Sequence, residues 1–365
     1  MCSEPRLSRE ESEEFISRVL RIDLPSCYPP SLDWINELVR AFQRHIPFQN
    51  ISFLSKDSHD SVPTWEEIYK EIIVEGKGGL CLSLNVAFAA VLSSLGTTAY
   101  NVSADYIAGE GRGVHALTII HYGDIPVNKN SIVTRSRTGN RGSVYYNYDA
   151  VDSEKDYIKR YGLFKVPEKF LYLVDVGCGY PTLRAINLKN DLGKVYFDCG
   201  LEYCIIKRGH RYLRMHRRGH DLDEVEKKCV NNDGWLPMFS FRIVPKPLSC
   251  FQLSMRSIYV YQATSSYFQE LHAVLYFSQT EMIAVKNEQL IRYLGQEREE
   301  SIPGPSSKSR VNDSDGKVVD SRNRLKLKQS ELTEELLRNF PMIPKWEVEK
   351  AVLCYTSLNK TAGLV

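Results

Sequence analysis

The sequence predicts an α+β protein, with helices gathered at the front of the chain and antiparallel strands behind them. Three observations predict it. Residues 1–96 carry apolar side chains at helical spacing. After Gly96 the texture changes to short β-branched or aromatic runs separated by Gly, Asp or Asn. Those runs do not alternate with helical patterns, so an antiparallel sheet or small barrel is expected rather than βαβ units. A chain of 365 residues also exceeds one ordinary core, so two or three domains are expected.

The elements follow in order. Ser8 with Glu11 forms a capping-box pattern ahead of Phe15, Ile16, Val19 and Leu20. Ser31, after Pro29 and Pro30, can cap a helix bearing Ile35, Leu38, Val39 and Phe42. Thr64 with Glu67 is a second capping box, and Trp65, Ile68, Tyr69, Ile72 and Ile73 then share one face. Strands are expected at Tyr100–Tyr106, Val114–Tyr122, Phe170–Val176, Lys194–Phe197, Leu201–Lys207, His272–Phe277 and Met282–Val285. The polar stretch from Gly123 to Pro167 is read as a disordered insertion, with local order around Tyr157–Tyr161. Glu297 to Asn323, rich in Ser, Pro, Gly, Asp and Arg, is read the same way, and a helix with Leu332, Leu336 and Leu337 follows.

Composition excludes several function classes. A formal net charge of +2 gives no general attraction to nucleic acid or anionic lipid, so neither is expected as a partner. No apolar run reaches the length of a membrane span, and Met1–Glu14 lacks a secretory h-region. The nine cysteines are scattered, odd in number and without a Cys-x-x-Cys pair, so free thiols in a reducing, cytoplasmic setting are expected. The basic run Lys207–His220 fits no metal-ligand spacing and is read as a solvated strand face, with a phosphate-binding rim as the lesser alternative.

Chemistry concentrates at Glu75-Gly76-Lys77-Gly78-Gly79-Leu80-Cys81-Leu82-Ser83-Leu84-Asn85. A glycine-rich turn here delivers one cysteine into the first turn of an apolar helix that runs to Leu95 and stops at Gly96. The orphan N–H groups and positive dipole end of such a helix favour thiolate over thiol. A thiolate nucleophile needs a base, and the base an orienting group. His115 lies inside the apolar strand Gly113–Ile120, and Asp175 inside Leu171–Val176. An aspartate there costs several kcal/mol unless paired, and a histidine held in one tautomer is a partner that offsets it.

Taken together, Lys-Gly-Gly-x-Cys-x-x-x-Asn, a Val-His strand and Val-Asp-Val-Gly-x-Gly resemble the arylamine N-acetyltransferase family. So do Arg44-His45-Ile46-Pro47-Phe48-Gln49-Asn50-Ile51 and Trp235-Leu236-Pro237-Met238-Phe239. The resemblance covers roughly residues 12–120 and 168–295. It implies a helical domain over 1–98 carrying Cys81, a central antiparallel β-barrel over 99–246 carrying His115 and Asp175 with the insertion 123–167, and an α/β lid over 247–365 with the insertion 297–323. It implies Cys81 as nucleophile and acyl carrier, His115 as proton holder and Asp175 as its orienter. Leu80, Gly177, Cys178 and Gly179 would lie about the acyl and acceptor groups, and Arg44, Phe48, Gln49, Asn50, Lys77 and Asn85 would support the motifs. The reaction implied is ping-pong acetyl transfer from acetyl-CoA, or another short acyl-CoA, to an arylamine or hydrazine of the kind met in xenobiotic metabolism. No bound cofactor and no metal are implied, and the oligomeric state stays open.

Departures from the family pattern carry their own expectations. The family usually has Arg-Gly-Gly and Pro-Phe-Glu-Asn, whereas Lys77 and Gln49 stand here. If the two face each other, an Arg–carboxylate fork has become a Lys–amide hydrogen bond. The family's Glu two residues after the cysteine is Ser83. Cys178 replaces the usual Phe, which predicts a roomier acceptor pocket. The chief alternative of another kind is a cysteine hydrolase or transglutaminase-like enzyme acting on amides or esters without coenzyme A.

Overall fold

A computed structural model describes residues 5–57, 61–107, 113–123, 166–217, 229–256, 270–295 and 322–361. The early helices begin where the sequence offers capping side chains. Ser8 Oγ accepts from the Glu11 N–H at 3.1 Å while the Glu11 carboxylate accepts from the Ser8 N–H at 2.7 Å. Thr64 and Glu67 form the same reciprocal pair, and Ser31 caps Leu32–His45 through the Trp34 N–H. Gly76, at φ +65°, ends the helical run that includes Trp65–Ile68 and Tyr69–Val74 and turns the chain toward Cys81.

The helix Cys81–Ser94 is buried continuously from Leu82 to Leu92. A helix apolar on every side has to lie inside the protein, and this one packs against strands Ala99–Tyr106 and His115–His121. Its side chains join one apolar core that also takes Phe15, Phe42, Val176, Phe251, Leu336 and Val352. The three segments separated in the sequence analysis all contribute to that core.

The larger sheet is antiparallel and has eight strands. Their order is Ile186–Asn187, Leu171–Val174, His115–His121, Ala99–Tyr106, Leu236–Pro245, Arg211–Arg217, Leu201–Arg208 and Tyr196–Asp198. Register breaks where Ala99–Tyr106 and Arg211–Arg217 meet Leu236–Pro245 add local bend. Among the described residues the row is open at both ends, so the expected barrel is there a curled sheet whose hydrogen-bond ladder does not close. The second sheet has five antiparallel strands, Phe48–Gln49, His272–Tyr276, Glu281–Lys286, Gln289–Leu294 and Arg322–Lys326. Its first strand comes from the N-terminal motif, which ties residues 48–49 to the far end of the chain.

Two further expectations need correction. The basic run is largely a strand, Arg211–Arg217, buried between its ends rather than solvated. Arg214 and His216 are wholly buried, because both faces of that strand are covered and the arginine finds internal partners. The polar segment expected to extend to Asn323 already forms a strand at Arg322, with Asn323 opposite Arg292. An exposed edge strand tolerates such charged composition. Strand Gln289–Leu294 was missed outright. Residues 124–165, with the local order expected at Tyr157–Tyr161, and 296–321 lie outside the described residues. Among the described residues no helix is long and apolar enough to cross a membrane.

Candidate active site

Cys81 opens its helix. The preceding Leu80 is extended, and no side chain caps that end, so the helix presents main-chain N–H groups beside the sulfur. The turn that aims it is held by backbone contacts only glycine permits. A Cβ on Gly78, at φ +83°, would lie 2.0 Å from the Pro47 carbonyl oxygen. Gly79 donates to that same oxygen at 3.2 Å and accepts from the Gln49 N–H at 3.0 Å. Cys81 is half-buried, and its Sγ lies 3.8 Å from the carbonyl oxygen of Val114, the residue before His115.

His115 and Asp175 meet side by side. His115 begins its strand and Asp175 directly follows Leu171–Val174, two antiparallel neighbours in the larger sheet. His115 Nε2 sits 2.9 Å from Asp175 Oδ2, with Asp175 wholly buried. Burial works against a charge on His115. Asp175 and Cys81 nearby, with hydrogen bonds to Asp175 and Cys178, outweigh it and hold the imidazole's proton affinity well above the ordinary value. Burial likewise disfavours the Asp175 carboxylate, yet His115, Arg214 and Asn85 draw its pKa below the usual 3.8. The Phe239 ring, with its centroid 4.9 Å from that of His115, flanks the imidazole.

Asn85, one helical turn after Cys81, binds the parts together. Its amide nitrogen lies 3.1 Å from Asp175 Oδ1, 2.9 Å from the Ala116 carbonyl and 3.3 Å from the Cys81 carbonyl. Its side-chain oxygen accepts from Thr118 Oγ1 at 3.2 Å. The Gly177 N–H donates to Asp175 Oδ1 at 3.2 Å. Gly177 is pressed against the helix start, where a Cβ would stand 2.8 Å from Cys81 Cα and 2.7 Å from Asn85 Nδ2. Cys178 reaches the same centre. One donor atom from each of His115, Asp175 and Cys178 falls within 4.8 Å of the others, the one such group among the described residues.

The structure therefore gathers Cys81, His115, Asp175, Asn85, Leu80, Gly177 and Cys178 at one place. Gly179 lies beside it, its φ of +72° leaving room for the Phe48 ring and its carbonyl accepting from Tyr276 Oη at 2.7 Å. Other motif residues serve elsewhere. Arg44 donates to the Phe277 carbonyl at 3.0 Å, and Asn50 bonds the backbone of Glu270 and His272 at 2.7 and 2.8 Å. Both fasten the N-terminal motif to the second sheet. The expected side-chain contact between Lys77 and Gln49 is replaced by a different one. The Gln49 amide donates to the Lys77 backbone carbonyl at 3.3 Å, while Lys77 Nζ meets Glu347 at 2.7 Å and Glu75 at 3.0 Å.

Sequence reasoning missed Arg214, Phe239 and Glu347. Phe239 lay inside a recognised motif without a role. Arg214 was hidden in a run of cations, and it donates to the Pro181 carbonyl at 2.8 Å and to His216 Nε2 at 2.7 Å. Nothing near Glu347 in the sequence points toward residue 77.

Residues 31–122 match the family model described as N-acetyltransferase. No curated protein sequence matches the chain. The arylamine N-acetyltransferase from Mycobacterium abscessus is similar over 96% of this chain and 95% of its own, at 14% identity and a TM-score of 0.61. The Salmonella typhimurium arylamine N-acetyltransferase matches over 95% and 99%, at 13% identity and a TM-score of 0.61. The Mycobacterium marinum arylamine N-acetyltransferase in complex with CoA matches over 92% and 96%, at 14% identity and a TM-score of 0.57. At such identities the structural likeness is one of fold. The family resemblance thus has a family model behind it over the segment that bears Cys81 and a shared fold over nearly the whole chain. The family match over residues 31–122 supports an acetyltransferase enzyme.

Proposed function

From its place beside the N-acetyltransferases, we propose that this chain transfers an acetyl group from acetyl-CoA to an arylamine, hydrazine or related amine through a thioester on Cys81. The observation that carries the reading is a cysteine at an uncapped helix start, next to a histidine whose proton is held by a buried aspartate. CoA bound to the Mycobacterium marinum relative supports a coenzyme A thioester as donor.

The steps follow from the geometry. Cys81 sulfur attacks the thioester carbonyl carbon, and the negative charge passes to the carbonyl oxygen, where helix N-terminal N–H groups stabilise it. The tetrahedral centre collapses, coenzyme A leaves as thiolate, and a proton from His115 converts it to the thiol. The amine nitrogen then attacks the Cys81 thioester, giving its proton to His115 as the amide forms and the sulfur departs. Asp175 keeps Nε2 engaged throughout, so Nδ1 is the nitrogen left to exchange protons. Cys178 in place of a larger ring widens the acceptor side. Segment 1–98 supplies the nucleophile, 99–246 the His115–Asp175 pair, and 247–365 closes over both. The described cysteines are all free thiols, which suits a reducing, cytoplasmic setting.

Intact-mass spectrometry of the full, reduced chain with acetyl-CoA alone tests this. One acetyl group is expected on Cys81, lost on adding aniline and never formed in Cys81→Ala. No adduct, together with hydrolysis of amide or ester substrates, would establish a cysteine hydrolase instead.

A further inference from the structure

The turn that aims Cys81 is rich in glycine. Between Lys77 and Cys81 lie Gly78, Gly79 and Leu80, and two adjacent glycines leave the backbone more freedom than any other pair. What restrains the turn comes from outside it. Lys77 Nζ, on a side chain only 10% exposed, contacts Glu347 Oε1 at 2.7 Å, and the Glu347 side chain is 4% exposed. Glu347 belongs to the C-terminal helix Lys345–Thr361, 270 residues further along the chain. Its other oxygen accepts from Ser52 Oγ at 2.9 Å. Ser52 Oγ in turn accepts from Gln49 Nε2 at 2.9 Å, and the Ser52 N–H donates to Gln49 Oε1 at 2.9 Å.

This is a closed, buried network in which each hydroxyl and amide proton has a use. The family pattern expects a carboxylate at position 49. An amide stands there, and an amide cannot neutralise a buried ammonium. Glu75 at 3.0 Å and Glu347 at 2.7 Å supply that charge, and Glu347 does so from another helix. Burial works against the charge on Lys77, and hydrogen bonds to Glu347 and Glu75 keep its pKa above the ordinary value.

We infer that Glu347 is a positioning residue for the nucleophile: the C-terminal helix lends the carboxylate that locks the Lys77–Leu80 turn and hence the aim of Cys81. The inference rests on Cys81 being the nucleophile. Glu347 touches neither substrate nor sulfur and acts through Lys77.

The test uses the full chain and single-turnover acylation by acetyl-CoA. In Glu347→Ala the turn loses its outer tether, and the acylation rate falls about a hundredfold, the loss expected of a misplacement near 1 Å. Donor KM stays near the parent's. Glu347→Gln keeps an oxygen for Lys77 and a polar group for Ser52 but not the charge, so its rate falls between those of the parent and Glu347→Ala. Alkylation of Cys81 by iodoacetamide, mapped by peptide mass against pH, shifts its profile in Glu347→Ala and shifts it less in Glu347→Gln. A residue needed only for folding would move the melting temperature without moving that profile. Should Glu347→Ala not fold, Glu347→Asp takes its place: one methylene shorter, it cannot span Lys77 and Ser52 together, and the rate falls about tenfold. Folded Glu347→Ala or Glu347→Asp acylating at the parent's rate overturns the inference. Acylation at the parent's rate in Cys81→Ala would instead sink the assignment of the nucleophile.

Discussion

Replacing Gly177 by alanine puts one methyl group where three fixed atoms already stand. The new carbon would lie 2.8 Å from Cys81 Cα, 3.0 Å from the Cys81 carbonyl oxygen and 2.7 Å from Asn85 Nδ2. Two of those atoms are backbone, and the third is held by Asp175, Ala116 and Cys81 itself. No flexible side-chain tip is available to give way. Ordinary carbon–carbon contact begins near 3.5 Å, so the helix start and the Gly177 loop must part by about 0.7 Å. Overpacking of this kind costs ~1–3 kcal/mol of stability. A full ångström of misplacement costs ~10²-fold in rate, so a displacement of about 0.7 Å should slow acylation of Cys81 by about tenfold or more. Stopped-flow acylation with acetyl-CoA, alongside a thermal melt, measures both effects. Gly177→Ala with the parent's melting temperature and the parent's acylation rate would refute the claim that the loop and the nucleophile are in contact.

Two further substitutions separate electrostatics from shape. His115 has a raised folded pKa, so its pairing with Asp175 stabilises fully below the unfolded value near 6.5 and is lost as pH climbs through the raised value; Asp175, with a lowered pKa, contributes above about 3.8 and loses it as pH falls through its folded value. In Asp175→Asn only burial and the remaining neighbours act on His115, and the buried ring resists protonation. The melting-temperature gap between parent and variant should then be widest near pH 5, equivalent to ~3–5 kcal/mol, and should narrow on the alkaline side. A gap that does not change with pH would contradict the assignment. Cys178→Phe fills space beside His115, so the KM for a bulky arylamine should rise about tenfold while a small hydrazine is little affected. Equal effects on both acceptors would place residue 178 away from the amine.

Much of the site was legible because its residues are constrained locally. Gly76, Gly78 and Gly79 announce a turn, with Gly76 and Gly78 at positive φ that other residues rarely adopt, and Cys81 follows it by covalent connection alone. His115 and Asp175 stand out because polar side chains in apolar strands need partners. Arg214 was misjudged for the opposite reason: among six cations in a short stretch, charge suggests solvent, and only packing on both sides of its strand reveals the buried arginine. The curled but open sheet was equally out of reach, since closure depends on which strands meet at the ends of the row.

By itself, the sequence determined the helical front of the chain, most strands of the middle segment, the capped helix starts, and the three residues that meet at the centre. Each is set by short-range backbone preference or by the cost of burying a polar group. The tertiary structure alone decided that Glu347 answers Lys77, that Asn85 joins helix, strand and carboxylate, and that Cys178 borders the imidazole. Contacts between side chains hundreds of residues apart leave no periodicity or motif in the chain, because they exist only once the apolar core has drawn those elements together.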